Sequence, residues 1–194
     1  MSRTVRAGVT AGVAATACAL CFAGCSDQGP QTPVMEVAVL ETTKGTLEIG
    51  FYGESAPLAV QNFKTHVRQH YYDGTRFHRI IPNFVIQGGD PMGTGMGGES
   101  IWGEPFVDEF DIRLRFDRRG LVGMANSGPN SNRSQFFIAL AATPWLNDHH
   151  TLFGWVIASD STIAAIERTG SLPNGTPTQE VRILHAFLHE RPVE

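Results

Sequence analysis

The sequence predicts a mainly β fold, an antiparallel barrel or sandwich of short strands accompanied by two helices. Three observations lead there. Short runs rich in β-branched and aromatic residues recur at close spacing from Val34 to Leu188. Turn residues punctuate them, with 21 glycines and 11 prolines in 194 residues. Only two stretches carry the apolar spacing of an amphipathic helix, too few for alternating strand–helix units around a parallel sheet.

Val34 to Glu41 and Thr46 to Tyr52 read as a strand pair joined at Thr42-Thr43-Lys44-Gly45, with Gly45 at a positive-φ turn position. Leu47, Ile49 and Phe51 alternate with Glu48 and Gly50, the pattern of a half-buried strand. A helix follows, capped by Ser55 and opened by Pro57, with Val60, Phe63 and Val67 along one face and Asp73-Gly74 as its stop. Further strands fit Arg76 to Ile81, Phe84 to Gln87, Leu121 to Asn126, Gln135 to Leu140 and Phe153 to Ile157. A second helix fits Ser161 to Arg168, with Ile163 and Ile166 inward and Gly170 after it. A last strand fits Val181 to Leu188. Gly88 to Gly98 holds six glycines in eleven residues and is a loop of tight turns.

Composition narrows the function. With 42% hydrophobic and 18% charged residues the chain is neither disordered nor collagen-like. A net charge of −4 lacks the broad basic surface of a nucleic-acid binder. All three cysteines, Cys18, Cys21 and Cys25, stand near the start, so the later chain has no disulfide and no thiolate metal site.

Residues 1–25 have the layout of a secretory signal: Arg3 and Arg6, an uncharged stretch from Ala7 to Gly24, then small residues before Cys25. The ending resembles a bacterial lipobox, which makes Cys25 the expected lipidation site and membrane anchor. A plain secretory signal and an uncleaved anchor helix are the alternatives. Residues 26–33, polar with two prolines, read as a tether, and 34–194 as one folded domain. The expected location is accordingly the bacterial cell envelope.

Two segments concentrate the chemistry: Phe77-His78-Arg79-Ile80-Ile81-Pro82-Asn83-Phe84-Val85-Ile86-Gln87-Gly88-Gly89-Asp90 and Met124-Ala125-Asn126-Ser127-Gly128-Pro129-Asn130-Ser131-Asn132-Arg133-Ser134-Gln135-Phe136-Phe137. Together with Ala56-Pro57, Asn62-Phe63, Tyr72-Asp73-Gly74-Thr75, Trp145-Leu146, His150 and Phe153-Gly154, they closely resemble the cyclophilins, the peptidyl-prolyl cis-trans isomerases inhibited by cyclosporin. The resemblance runs from about Val34 to Leu188 and implies an eight-stranded antiparallel β-barrel closed by two helices. It implies that Arg79 is the catalytic arginine. It implies a proline pocket of Phe84, Val85, Phe137 and Leu146 edged by His150, with Gln87, Asn126 and Gln135 holding the substrate backbone. Ala125 and Ser127 would border the neighbouring groove, and Trp145 would contact cyclosporin.

The expected partners are proline-containing polypeptides, with no cofactor, metal or nucleic acid, and with a monomer as the working state. The alternative is a tethered module that binds proline-containing segments with incidental turnover. Three positions depart from the family: Val85 where Met is common, Arg133 where Gly is common, and Asn147-Asp148-His149 before His150.

Other patterns have plainer readings. Phe84, Ile86, Phe136 and Phe137 are core-like by themselves, and strand alternation puts Phe136 and Phe137 on opposite faces. His66 and His70 stand one helical turn apart, a spacing zinc accepts, but no third ligand is evident from the sequence. Gly93 to Gly98 lacks the Lys and Ser or Thr of a phosphate-binding loop.

Overall fold

A computed structural model describes residues 33–193. The leader, the tether up to residue 32 and Cys25 lie outside the described residues. Eight strands form one antiparallel sheet: β1 (Val34–Thr42), β2 (Gly45–Phe51), β3 (Arg79–Ile81), β4 (Val85–Gly88), β5 (Leu121–Met124), β6 (Phe136–Ala139), β7 (Leu152–Ile157) and β8 (Ile183–Pro192). Their order is β3-β4-β6-β5-β7-β2-β1-β8. Helix α1 spans Pro57–Arg68 and α2 spans Asp160–Glu167. Each predicted element exists, with shifted ends.

The expected barrel closure takes an unexpected form. The edge strands β3 and β8 share no ladder; the seam joins residues 74–77, just before β3, to residues 181–183, which lead into β8. Gly74 N–H donates to Ile183 O at 2.8 Å, Ile183 N–H to Thr75 O at 2.9 Å, and Phe77 N–H to Val181 O at 2.9 Å. Arg76 and Arg182 form an isolated antiparallel bridge there. This is why the run predicted from Arg76 becomes ladder strand only at Arg79.

The β1–β2 hairpin pairs Ala38 with Ile49, Leu40 with Leu47 and Thr42 with Gly45. Gly45 has φ of 121°, and a Cβ there would stand 2.6 Å from Thr162 Oγ1 of α2, so the turn needs glycine both for its conformation and for space.

The start of α1 corrects the expectation of a Ser55 cap. Ala56 is the N-cap residue and offers no side-chain bond. The Glu109 carboxylate, remote in sequence, accepts the Leu58 and Ala59 N–H groups at 2.9 Å each. It also places a negative charge at the positive end of the helix dipole. Ser55 Oγ instead donates to Asp111 at 2.6 Å. The helix ends before Asp73-Gly74, because His70 takes φ of 56° and its turn closes with His70 N–H to Val67 O (3.1 Å) and Tyr71 N–H to His66 O (2.9 Å).

Phe63 of α1 anchors the main core. Its ring lies 5.0 Å from Tyr72, 5.1 Å from Phe136 and 5.3 Å from Phe153. Ile163 and Ile166 of α2 join the same cluster. Phe136 points into this cluster and Phe137 into a second, smaller one, as strand alternation requires. The second cluster lies beneath the candidate site.

Candidate active site

Arg79 opens β3 and stands opposite Gln87 of β4 in the ladder register, which puts both side chains on one face. The guanidinium Nη1 donates to Gln87 Oε1 at 3.3 Å. Gln87 Nε2 donates to Gln135 Oε1 at 3.0 Å, and Gln135 Nε2 to Gly97 O at 2.8 Å. The Arg79 guanidinium carbon also lies 5.6 Å from the Phe84 ring centre, a cation–π contact. Arg79 is thus aimed by a relay of two amides and steadied by an aromatic face.

The far end of the relay is built around Asp90, whose side chain is fully buried. Its carboxylate accepts the N–H groups of Met92 (2.9 Å), Thr94 (2.8 Å), Gly95 (2.7 Å) and Gly97 (3.2 Å), and the Thr94 hydroxyl at 3.0 Å. Burial pushes its pKa up, but these hydrogen bonds outweigh it and bring the pKa down to about 2. The glycine-rich loop is therefore an anion nest filled by the chain's own carboxylate, which is why it is no phosphate site.

The apolar floor is the second cluster: Val85, Phe116 and Phe137 buried, with Phe84, Ala125 and Leu146 packed against it. Phe137 stacks on Phe116 at 5.5 Å and receives the edge of His150 at 5.4 Å. His150 Nδ1 lies 3.0 Å from Met124 O. A carbonyl only accepts, so Nδ1 carries the hydrogen and Nε2 is left as an acceptor. Burial lowers the pKa of His150, which keeps the ring neutral near pH 7. Trp145, on a 3₁₀ turn at Pro144–Leu146, is 61% exposed and lies 6.0 Å from the Phe84 ring.

Two surface depressions meet at Asn126. One, about 310 Å³, is lined by Gln87, Ala125, Ser127, Arg133 and Gln135 among others. The second, about 620 Å³, is lined by Trp145, Leu146 and His150 among others. Asn126 Nδ2 donates to His149 O at 2.9 Å, bracing one depression against the other. The Ala125 N–H is taken by Gln135 O (3.0 Å) and the Ser127 N–H by Ser131 Oγ (2.8 Å), so these N–H groups shape the groove and do not donate into it.

Of the expected residues, Arg79 touches Gln87 and Phe84, Gln87 touches Gln135, and Phe84 meets Trp145; Val85, Phe137 and Leu146 share the second cluster, with His150 against Phe137 and Asn126 lining both depressions. Sequence reasoning assigned no role to three further residues. Asp90 builds the loop that holds Gln135. Asp108 accepts Asn132 Nδ2 at 2.7 Å and Asn130 N–H at 2.7 Å, pinning the loop after Asn126. Gly123 leaves room for Phe137, since a Cβ there would stand 2.7 Å from the Phe137 Cζ. The only sequence signal for these was an acid beside glycines and a glycine inside a strand.

The family model for the cyclophilin type peptidyl-prolyl cis-trans isomerase/CLD matches residues 37–187. The chain belongs to that family. A peptidyl-prolyl cis-trans isomerase-like 1 protein of Gibberella zeae is 52% identical over 155 residues, covering 78% of this chain and 94% of that one. Peptidyl-prolyl cis-trans isomerase CYP71 of Arabidopsis thaliana is 47% identical over 154 residues, 79% of this chain but only 24% of that protein. This cyclophilin therefore spans about a quarter of the length of that relative. The crystal structure of a Cryptosporidium parvum cyclophilin-type isomerase in the presence of the dipeptide Ala-Pro is similar with a TM-score of 0.76 and 39% identity, covering 79% of this chain and 98% of that chain. The chain is a cyclophilin-type peptidyl-prolyl cis-trans isomerase.

One expectation is overturned by these relatives. They come from a fungus, a plant and a eukaryotic parasite, not from bacterial envelopes, so the bacterial cell-envelope location drawn from the leader does not stand. A few small residues before one cysteine form a short pattern, whereas the kinship runs over 155 residues.

Proposed function

We propose that residues 34–194 bind an extended Xaa-Pro segment along this face and that Arg79 catalyses its isomerisation. The observation that supports this is the Arg79–Gln87–Gln135 relay above an apolar floor. The amide barrier of about 18–20 kcal/mol comes from conjugation of the prolyl nitrogen lone pair with the carbonyl. A guanidinium N–H donating to that nitrogen localises the lone pair and weakens the conjugation as the bond twists. No bond is made or broken, so the residues need only hold the ring, aim the donor and let the carbonyl side rotate. Phe84, Val85, Phe137 and Leu146 receive the proline ring. Gln87, Gln135 and Asn126 hold the peptide on either side, and Trp145 offers an exposed indole to a flanking residue or to cyclosporin. The Cryptosporidium relative was crystallised with an Ala-Pro dipeptide, the smallest segment of this kind.

The test is isomerisation of a short Ala-Pro peptide by the full chain beside its Arg79→Ala and Arg79→Lys variants, with and without cyclosporin. The expected result is a loss of kcat/KM of roughly 10²-fold or more in Arg79→Ala, on the scale of removing one transition-state donor. Arg79→Lys should recover little of it, because an ammonium lacks the planar fork that Gln87 orients. Undiminished turnover in both variants would remove Arg79 from the mechanism.

A further inference from the structure

The two histidines expected on one helix separate in the folded chain, with His66 in α1 and His70 just beyond its end. His66 is buried with Nε2 3.0 Å from Glu99 O and its ring 4.1 Å from Tyr71. His70 is exposed and meets Asp73, three residues on, and His185 of β8. Its Nδ1 lies 3.2 Å from Asp73 Oδ2. His185 of β8 brings its own Nδ1 to 2.9 Å from that same oxygen. The three ligand atoms lie within 4.8 Å of one another.

We propose that His70, Asp73 and His185 form a binding site for a borderline divalent cation of the Zn²⁺, Ni²⁺ and Cu²⁺ class, clipping the end of α1 to β8. Two imidazoles and one carboxylate are the donor set such ions select, and hard ions such as Mg²⁺ and Ca²⁺ would be refused for want of oxygen ligands. The site is preorganised on each side. Asp73 Oδ1 accepts the Ala186 N–H at 2.8 Å, which fixes the carboxylate against β8 and leaves Oδ2 to face both rings. The two helix-closing hydrogen bonds hold His70 at its positive φ, and its ring stacks on that of His185 at 5.5 Å with 14° between planes. His185 in turn stacks on Phe187 at 5.5 Å.

Without metal, a carboxylate oxygen only accepts, so each imidazole donates from Nδ1. A cation takes the place of those two hydrogens, each ring then carrying a proton on Nε2 alone; no redox step or group transfer is involved. The side chains of His70, Asp73 and His185 are 64%, 27% and 43% exposed, which admits the ion and leaves its remaining positions to water. The place is structurally telling. Gly74 N–H donates to Ile183 O at 2.8 Å, so the clip would sit beside the seam that closes the barrel without a ladder.

The experiment is calorimetric titration of Zn²⁺ into the tag-free full chain with its three cysteines alkylated, together with thermal melts. The expected result is one equivalent bound in the micromolar range, and a Tm rise of roughly 5–10 °C at a hundredfold excess over Kd. His70→Gln and His185→Gln should each weaken binding at least tenfold, and the double variant should abolish both the heat and the Tm rise. His70 is largely exposed and His185 half-buried, and Gln keeps an N–H donor for Asp73, so the metal-free variants should melt near the parent and isomerise Ala-Pro at its rate. No bound zinc, or zinc that persists undiminished in the double variant, overturns the proposal. Either result is independent of whether Arg79 is catalytic.

Discussion

Arg79 and Gln87 face each other across the β3–β4 ladder, and the Arg79 guanidinium donates to the Gln87 amide oxygen at 3.3 Å. The same amide passes its own N–H to Gln135 at 3.0 Å. An arginine has many rotamers, and this relay selects one of them. Gln87→Ala should therefore lower kcat/KM by roughly tenfold, the worth of one hydrogen bond to a charged group, while leaving the fold's stability nearly unchanged. The check is peptide isomerisation beside a thermal melt. A drop in stability with unchanged kcat/KM would make Gln87 a structural residue only.

Gly123 of β5 pairs with Phe137 of β6, and a Cβ at Gly123 would meet both Phe137 Cζ at 2.7 Å and Phe116 Cζ at 2.8 Å. Gly123→Ala should push these rings off their stack and lift the apolar floor of the candidate site. The expected cost is about 1–3 kcal/mol of stability, as for an overpacked core, with weaker binding of Ala-Pro peptides and cyclosporin. Urea denaturation and KM measure the two effects separately. Wild-type values of both would show that the floor yields without loss.

Asp90 links stability to pH. Its folded pKa, about 2, lies below the ordinary 3.8. A depressed carboxylate stabilises the fold fully above its unfolded pKa and loses that contribution as pH falls through the folded value. Asp90→Asn should thus cost roughly 2 kcal/mol near neutral pH, and the gap to the parent should close between about pH 4 and pH 2. It should also loosen Gly97, and through Gln135 reduce kcat/KM. Stability curves of the two proteins across this range decide it; a gap independent of pH would assign the loss to something other than the carboxylate's charge.

Much of the fold was legible from local pattern. Alternation along Leu47, Ile49 and Phe51, and the opposite facing of Phe136 and Phe137, follow from strand geometry alone. The element ends were less so, for a specific reason: they are set by distant partners. Glu109 caps α1 in place of Ser55, and β3 begins at Arg79 because residues 74–77 are spent on the seam with 181–183. The site residues were legible as a string, since the motifs name them in order. Their relations were not, because a hydrogen bond from Gln135 to Gly97 leaves no trace in spacing.

By itself the sequence determined the fold class, the order of its elements and the family, because these rest on side-chain identity, short-range periodicity and motif order. Only the tertiary structure decided how the barrel closes, which carboxylate holds the glycine-rich loop, and which histidine meets His70. The first and the last are meetings between segments far apart in the chain, whereas Asp90 reaches only two to seven residues along its own loop. Asp73, for example, meets His185 across a separation of 112 positions. Such contacts come from packing, and packing is a property of the whole chain at once.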